Sequence, residues 1–198
     1  MVAFMDDLSG RHPRRETGMS SKPFESYITG YIAGFAVFVL AVPYLLYEVA
    51  LIYEAHIMEH WSRHIIAVIL LIPGLSFAIW SNIVLVTRGR GGPIDIFDVA
   101  ISPRTQKLVV TGPYQYTRNP MVFGMFCCYF ALAFYLNSLP DLIILAVLFL
   151  AARFYLEETE ERRLWRDFGK EYEEYRKRVP MILPRVLRRK RGNRIKGT

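Results

Sequence analysis

The chain has 198 residues, of which 53% are hydrophobic and 22% are charged, and its formal net charge is +7. The charged residues are segregated from long apolar runs, which excludes an ordinary soluble domain and is typical of a membrane protein. At this length we expect a single domain over residues 1–198.

The N-terminal segment, residues 1–25, is polar and lacks the apolar core of a secretory signal, so no cleaved signal is predicted. Four apolar runs follow, each close to the roughly 20 residues that a helix needs to cross the hydrocarbon core. They cover residues 26–52, 65–86, 121–136 and 139–156. The sequence therefore predicts an all-α integral membrane fold with about four transmembrane helices, the first two of them within residues 26–86.

Lysine and arginine are distributed unevenly between the connections, and this predicts the orientation in the membrane. The N-terminal segment carries four of these residues, the first connection one, the central loop (residues 87–118) five, the turn after the third run none, and the chain after Glu158 fourteen. Cytoplasmic loops are enriched in these cations, so both termini and the central loop are predicted to be cytoplasmic. The protein would thus be multi-pass, with an even number of spans.

Two polar regions outside the apolar runs have distinct patterns. The central loop is long for a connector, and long loops tend to be functional; within it, residues 107–110 read as a short extended segment. Residues 157–178 predict a cytoplasmic amphipathic helix, because apolar residues recur every three or four positions. These are Leu164, Phe168, Tyr172, Tyr175 and Val179. The basic tail, residues 185–198, predicts attraction to anionic lipid in preference to nucleic acid.

Histidine and cysteine residues raise the question of a metal site. His56, His60 and His64 are spaced by four residues, which is metal-ligand spacing on a helix. They are predicted to lie on the side of the membrane opposite the central loop, and we interpret them as interfacial residues that face lipid headgroups. Cys127 and Cys128 are adjacent within an apolar run and are interpreted as small apolar residues without a disulfide. We therefore expect no metal site.

Two motifs flank the third and fourth apolar runs. The first reads G-P-Y-Q-Y-T-R-N-P-M-V-F-G over residues 112–124, and the second reads E-E-R-R-L-W-R-D-F-G-K-E-Y-E-E-Y-R-K-R-V-P over residues 160–180. In this order they resemble the isoprenylcysteine carboxyl methyltransferases and their bacterial, archaeal and phospholipid-methyltransferase relatives, over residues 108–184. The resemblance implies S-adenosylmethionine as the methyl donor, a lipophilic acceptor, and a cofactor pocket closed by the C-terminal helix. Residues 87–184 would form this catalytic half.

Carried onto this chain, the resemblance and the chemistry of the cofactor identify candidate site residues. The candidates for cofactor binding are Leu108, Val109, Val110, Gly112, Pro113, Tyr114, Arg118, Asn119, Pro120, Gly124, Glu160 and Glu161. Arg118 suits the cofactor's carboxylate bidentately, and Glu160 or Glu161 suits its ammonium. The same three charged residues are the candidate catalytic residues, because an amine acceptor must lose a proton and a glutamate can accept it. Which glutamate is closer to the chemistry stays open.

The individual residues also allow simpler interpretations and other functions. Asn119 and Pro120 predict a helix start, with Asn as the cap and Pro at the first position. Val122 stands where the family usually has tyrosine, and Leu156 stands where the eukaryotic prenylcysteine enzymes have arginine, which weakens the case for a prenylcysteine substrate. The alternatives are a membrane reductase of the steroid 5α-reductase type that uses NADPH, and a non-enzymatic membrane scaffold. The acceptor and the oligomeric state stay open.

Overall fold

The computed structural model describes residues 28, 31–53, 56–58, 61–89, 95–96, 99–100 and 107–185. Predictions for the N-terminal segment, for Glu59 and His60, and for the basic tail beyond Arg185 fall outside the described residues. The helices are α1 (Tyr31–Ile52), α2 (Ser62–Val84), α3 (Pro120–Leu136), α4 (Leu139–Leu156) and α5 (Arg162–Arg178). Two short strands, β1 (Asp95–Ile96) and β2 (Val99–Ala100), pair antiparallel in the central loop.

Each of the four predicted apolar runs forms a helix. Helix α1, helix α2 with its π-helical extension to Arg88, and the helix that begins with α4 are long and apolar enough to cross a membrane. Helix α3 has 17 residues, about 26 Å at 1.5 Å per residue, which is shorter than the hydrocarbon core of about 30 Å. Three helices of membrane-spanning length and apolarity are thus present among the described residues, whereas the count of four spans and the orientation stay predictions.

Helices α2 and α3 pack closely at two glycines. A Cβ atom on Gly124 would lie 2.6 Å from the backbone oxygen of Gly74 and 2.6 Å from the backbone nitrogen of Ala78. A Cβ atom on Gly74 would lie 2.9 Å from the sulfur of Cys128. Small residues allow helix backbones in a membrane to approach each other in this way. Cys127 and Cys128 are both free and half-buried, in agreement with their interpretation as packing residues.

The side of α3 away from α2 forms a second contact, with α1 and α4. Leu46 of α1, Tyr129 of α3 and Leu145 of α4 form a buried cluster around Ala133, which has no exposed surface. The Tyr129 hydroxyl donates a 2.8 Å hydrogen bond to the carbonyl of Phe38, in the π-helical stretch of α1. Buried hydroxyls need such a partner, so this bond fixes α1 against the hairpin.

A tight turn joins α3 to α4, as the sequence predicts. Asn137 has a left-handed backbone (φ 58°), and its side-chain oxygen accepts hydrogen bonds from the backbone nitrogens of Ile57 and Met58. The Ser138 hydroxyl caps α4 by accepting from the backbone nitrogen of Asp141. We call this end of the hairpin, with the residues 56–58 that contact it, the outer end.

Within the described residues no three His, Cys, Asp or Glu side chains group as metal ligands would.

The predicted helix after the fourth apolar run exists, but no loop separates it from that run. Helix α4 continues through a π-helical turn, Glu157–Glu161, into α5. Helix α5 bends at Gly169, whose backbone angles of φ 52° and ψ −123° are open only to glycine. Residues 108–110, predicted as extended, belong to no strand. The position of α5 on the cytoplasmic side stays a prediction.

Candidate active site

A cavity lies where the end of α2, the first turn of α3, the segment before the 3₁₀ turn Gly112–Gln115, and α5 meet. The structure brings most of the predicted cofactor residues to its walls. These are Leu108, Val109, Tyr114, Arg118, Asn119, Pro120, Glu160 and Glu161. Residues from three separate parts of the sequence therefore converge on one concave site, which is the usual form of a small-molecule site.

Four predicted site residues lie outside the cavity walls. Val110 is exposed, and Pro113 is buried within the 3₁₀ turn. Gly112 has a positive φ of 66°, and a Cβ atom there would lie 3.1 Å from the Val84 side chain. Gly124 lies in the contact between α2 and α3. In this structure the two glycines therefore let the 3₁₀ turn and α3 pack close to α2. They support the cavity without lining it.

Sequence reasoning did not identify several residues of the cavity wall. They are Leu85, Lys107, Met121, Val122, Arg163, Leu164, Phe168, Tyr172 and Tyr175. Leu164, Phe168, Tyr172 and Tyr175 belong to the apolar stripe that predicts an inward face of the C-terminal helix, so the signal for them was present. The periodicity indicates that this face is covered, but not that part of it borders a cavity.

The charged centre of the cavity is an ion pair between Arg118 and Glu161, whose side chains are 9% and 4% exposed. The Nη1 atom of Arg118 also donates a 3.1 Å hydrogen bond to the hydroxyl of Tyr172. The second carboxylate oxygen of Glu161 lies 3.3 Å from Nε of Arg176. Removing one partner of such a buried pair is strongly unfavourable, because the other charge is left uncompensated.

The second glutamate has a different environment. Glu160 precedes Glu161 in the π-helical turn, where both side chains border the cavity, and π-helical turns are frequent at functional sites. Its side chain is 38% exposed, and a carboxylate oxygen lies 3.8 Å from Arg163. Desolvation, with a smaller contribution from the neighbouring Glu161, raises the pKa of Glu160 to about 7. Glu160 is thus able to accept or release a proton near neutral pH.

Two tyrosines of α5 cover the charged centre. The Tyr175 hydroxyl donates a 2.6 Å hydrogen bond to the backbone carbonyl of Tyr114. Burial raises the pKa of Tyr172 to about 12 and also raises the pKa of Tyr175, so both hydroxyls stay protonated at neutral pH. The bend at Gly169 separates these tyrosines from Leu164 and Phe168, which line the cavity on the other side of the bend.

The chain after α5, residues 180–185, contains a series of bends and bonds to the segment before α3; we call it the strap. The backbone nitrogens of Arg118 and Asn119 donate to the carbonyls of Pro180 (2.9 Å) and Met181 (3.0 Å). The backbone nitrogen of Arg185 donates to the carbonyl of Tyr116. Pro120 is the first residue of α3, as predicted, but the Asn119 side chain makes no cap and donates to Met181 instead. The strap therefore holds Arg118 in place through its backbone.

Several buried polar atoms at the charged centre retain bonding capacity. Within the described residues, Arg118 Nε has no hydrogen-bond partner, and the ion pairs of Glu161 lack hydrogen-bond geometry. Buried donors and acceptors are usually satisfied, so such a pair beside a cavity suits a ligand that carries both an anion and a cation. The amino-acid end of S-adenosylmethionine has this chemistry, and the residues present fit it.

Comparison with known proteins gives one match. No curated protein and no solved structure matches the chain. One family model, described as phospholipid methyltransferase, matches residues 62–171, which is more than half of the chain. The matched range starts with the first residue of α2 and includes both Arg118 and the glutamate pair. It confirms the resemblance that the two motifs carry and extends it to α2.

Proposed function

Because the chain belongs to the phospholipid methyltransferase family, we propose that this membrane methyltransferase uses S-adenosylmethionine to methylate a lipophilic acceptor at the cavity. The observation that carries the proposal is the buried Arg118–Glu161 pair at the cavity wall. The two side chains neutralise each other there, and Arg118 Nε still lacks a partner among the described residues.

The chain's own residues would hold the cofactor at both ends of this pair. Arg118 would turn its guanidinium to the carboxylate of the cofactor, and Glu161 would accept its ammonium. The exchange keeps every buried charge paired, because a zwitterion replaces one ion pair with two. The backbone of Leu108 and Val109 would bond the edges of adenine or ribose. S-adenosylmethionine, when bound, supplies a methyl group activated by its sulfonium.

The apolar part of the cavity wall supports a lipophilic acceptor. It is formed by the end of α2 with its π-helical extension, by the start of α3 and by α5. Its residues are Leu85, Met121, Val122, Leu164 and Phe168. Because α2 and α3 continue from this wall as apolar helices, an acceptor with a carbon chain would arrive laterally from the bilayer, and the protein would mainly position it.

Both classes of acceptor considered from the sequence, a prenylcysteine-like carboxylate and a lipid amine, fit an apolar wall. A carboxylate needs no base, whereas an amine must lose a proton. Glu160 borders the cavity with a pKa raised to about 7 and is suited to accept that proton. Leu156, where the prenylcysteine enzymes have arginine, is buried and apolar. These two observations favour a lipid amine.

The proposal is tested by calorimetric titration of the detergent-purified protein with S-adenosylhomocysteine. We expect the wild type to bind and Glu161→Gln to lose affinity on the order of 100-fold, because a buried charged contact is removed. The matched control is Glu158→Gln, since Glu158 lies in the same π-helical turn but is exposed and pairs with Arg162. The control should bind like the wild type.

NADPH is titrated in parallel. Binding of NADPH alone would assign the protein to the reductase class. Binding of neither compound by a folded sample would overturn the proposed function in favour of the scaffold.

A further inference from the structure

Arg176 contacts the charged centre from outside the cavity. It lies on α5 beyond the bend at Gly169, is not part of the cavity wall, and its side chain is 50% exposed. Its Nε atom lies 3.3 Å from Oε2 of Glu161, and its Nη2 atom lies 4.0 Å from Oε1 of Glu157. Neither motif comparison nor helical periodicity identifies this residue as part of the site.

The two oxygens of Glu161 face different cations. Oε1 pairs with Arg118, which lines the cavity, and Oε2 pairs with Arg176, which does not. If Arg118 turns to a bound carboxylate, Oε1 becomes free for a ligand's ammonium while Arg176 still holds Oε2. We propose that Arg176 is a positioning residue, which keeps the Glu161 carboxylate oriented while Arg118 exchanges partners. This inference rests on the proposed function.

The charges around Glu161 show why a second cation matters. Arg118 and Tyr172 face the carboxylate from within, Glu160 is the adjacent acid, and Lys107 lines the same cavity. Without Arg176, the Glu161 carboxylate would depend on Arg118, and that arginine is the group that the cofactor would engage. Glu161 would then lose its close cation at the moment when its orientation toward the ligand matters.

The test measures the affinity of the detergent-purified full chain for S-adenosylhomocysteine at neutral pH by calorimetry, in wild type, Arg176→Gln, Arg176→Lys and Arg178→Gln. Arg178→Gln removes the same charge from the same helix end, but Arg178 is exposed and pairs with Glu174. We expect Arg176→Gln to weaken binding about fivefold at neutral pH, the size expected for a partly exposed ion pair.

Two further results are expected. Arg176→Lys should restore most of the affinity, because lysine keeps a cation beside Oε2 of Glu161. Arg178→Gln should behave as wild type, because Arg178 pairs with Glu174.

Wild-type affinity in Arg176→Gln, or a failure of Arg176→Lys to restore affinity, would overturn the inference and leave the proposed function intact. Tighter binding would also overturn it, because Arg176 would then compete with the ligand. Absence of binding in the wild type would overturn the proposed function itself, and this inference with it.

Discussion

The two ends of the α3–α4 hairpin each bury a carboxylate, in opposite settings. Asp141 at the outer end has no exposed surface and lies in the first turn of α4. Within the described residues its carboxylate oxygens have no hydrogen-bond partner. Glu161, beyond the other end of α4, is 4% exposed and pairs with two arginines, one of them from the segment before α3.

The difference shows what distinguishes a candidate site from a helix start. The surroundings of Asp141 are local: Ser138 caps the same turn of α4, and the positive end of the helix dipole lies there. Glu161 lacks that position and depends on Arg118, which is distant in sequence. A buried acid therefore does not by itself indicate a site; distant cations brought to a cavity do. The following predictions test that contrast, beginning with the largest effect.

The strongest test breaks the buried pair. Arg118→Gln should lower the free energy of unfolding by about 3 kcal/mol, because Glu161 is left with a half-exposed partner only. Thermal unfolding in detergent measures the change. The double variant Arg118→Met with Glu161→Leu should recover most of the stability but not bind S-adenosylhomocysteine. A double variant as unstable as the single one would show that the uncompensated charge is not the cause.

At the outer end, a substitution should lower the stability of the protein without changing its affinity for the ligand. Asn137→Ala removes an acceptor for two backbone hydrogen bonds and puts alanine at φ 58°. We expect a loss of about 2 kcal/mol in the same unfolding measurement, with unchanged affinity for S-adenosylhomocysteine. Asn137→Gly keeps the backbone conformation accessible and should lose less. An altered affinity in either variant would contradict the separation of the two ends.

A smaller change at the cavity should lower ligand affinity, in contrast to the substitutions at the outer end. Tyr172→Phe removes the hydroxyl to which Arg118 donates, a contact of about 1 kcal/mol. We expect about a fivefold loss of affinity for S-adenosylhomocysteine by calorimetry. Tyr135→Phe, an exposed tyrosine near the outer end, is the matched control and should bind normally. Equal losses in both variants would indicate a general packing effect.

The smallest expected effect concerns pH. The pKa of Glu160 is raised to about 7, so its carboxylate is neutral below this pH and charged above it. Because S-adenosylmethionine carries one more positive charge than S-adenosylhomocysteine, the preference for the former should rise about threefold between pH 6 and pH 8. Paired calorimetric titrations measure this ratio, and Glu160→Gln should make it independent of pH. A flat wild-type ratio would exclude Glu160 from the neighbourhood of the sulfonium.

The sequence predicts those features that depend on local composition. Apolar runs identify the helices α1 to α4, Pro120 marks the start of α3, and the motifs identify Arg118 with the glutamate pair. Hydropathy and helix-start preferences act within a few residues, which is why these predictions succeed. The absence of a loop after Leu156 escapes such reasoning, because the change from apolar to charged residues resembles the end of a helix.

Contacts between distant segments could not be predicted. Gly124 reads as part of a cofactor motif, yet its lack of a side chain is required by the backbone of α2. Asn119 reads as a cap but donates to Met181 in the strap. Arg176 looks like any surface arginine until Glu161 is found 3.3 Å away. Each role depends on a neighbour that only the folded chain supplies.

The unbroken passage from α4 into the π-helical turn has a consequence for the choice of membrane. Glu160 and Glu161 follow Leu156 in a continuous helix. Their position along the membrane normal therefore depends on the depth and tilt of α4 in the bilayer. A thicker or thinner bilayer changes the tilt or depth of such a helix. Arg118 precedes a different helix, α3, so α3 and α4 need not respond equally. Bilayer thickness, chosen through the lipid chain length of a nanodisc, should therefore act on the geometry of the site itself.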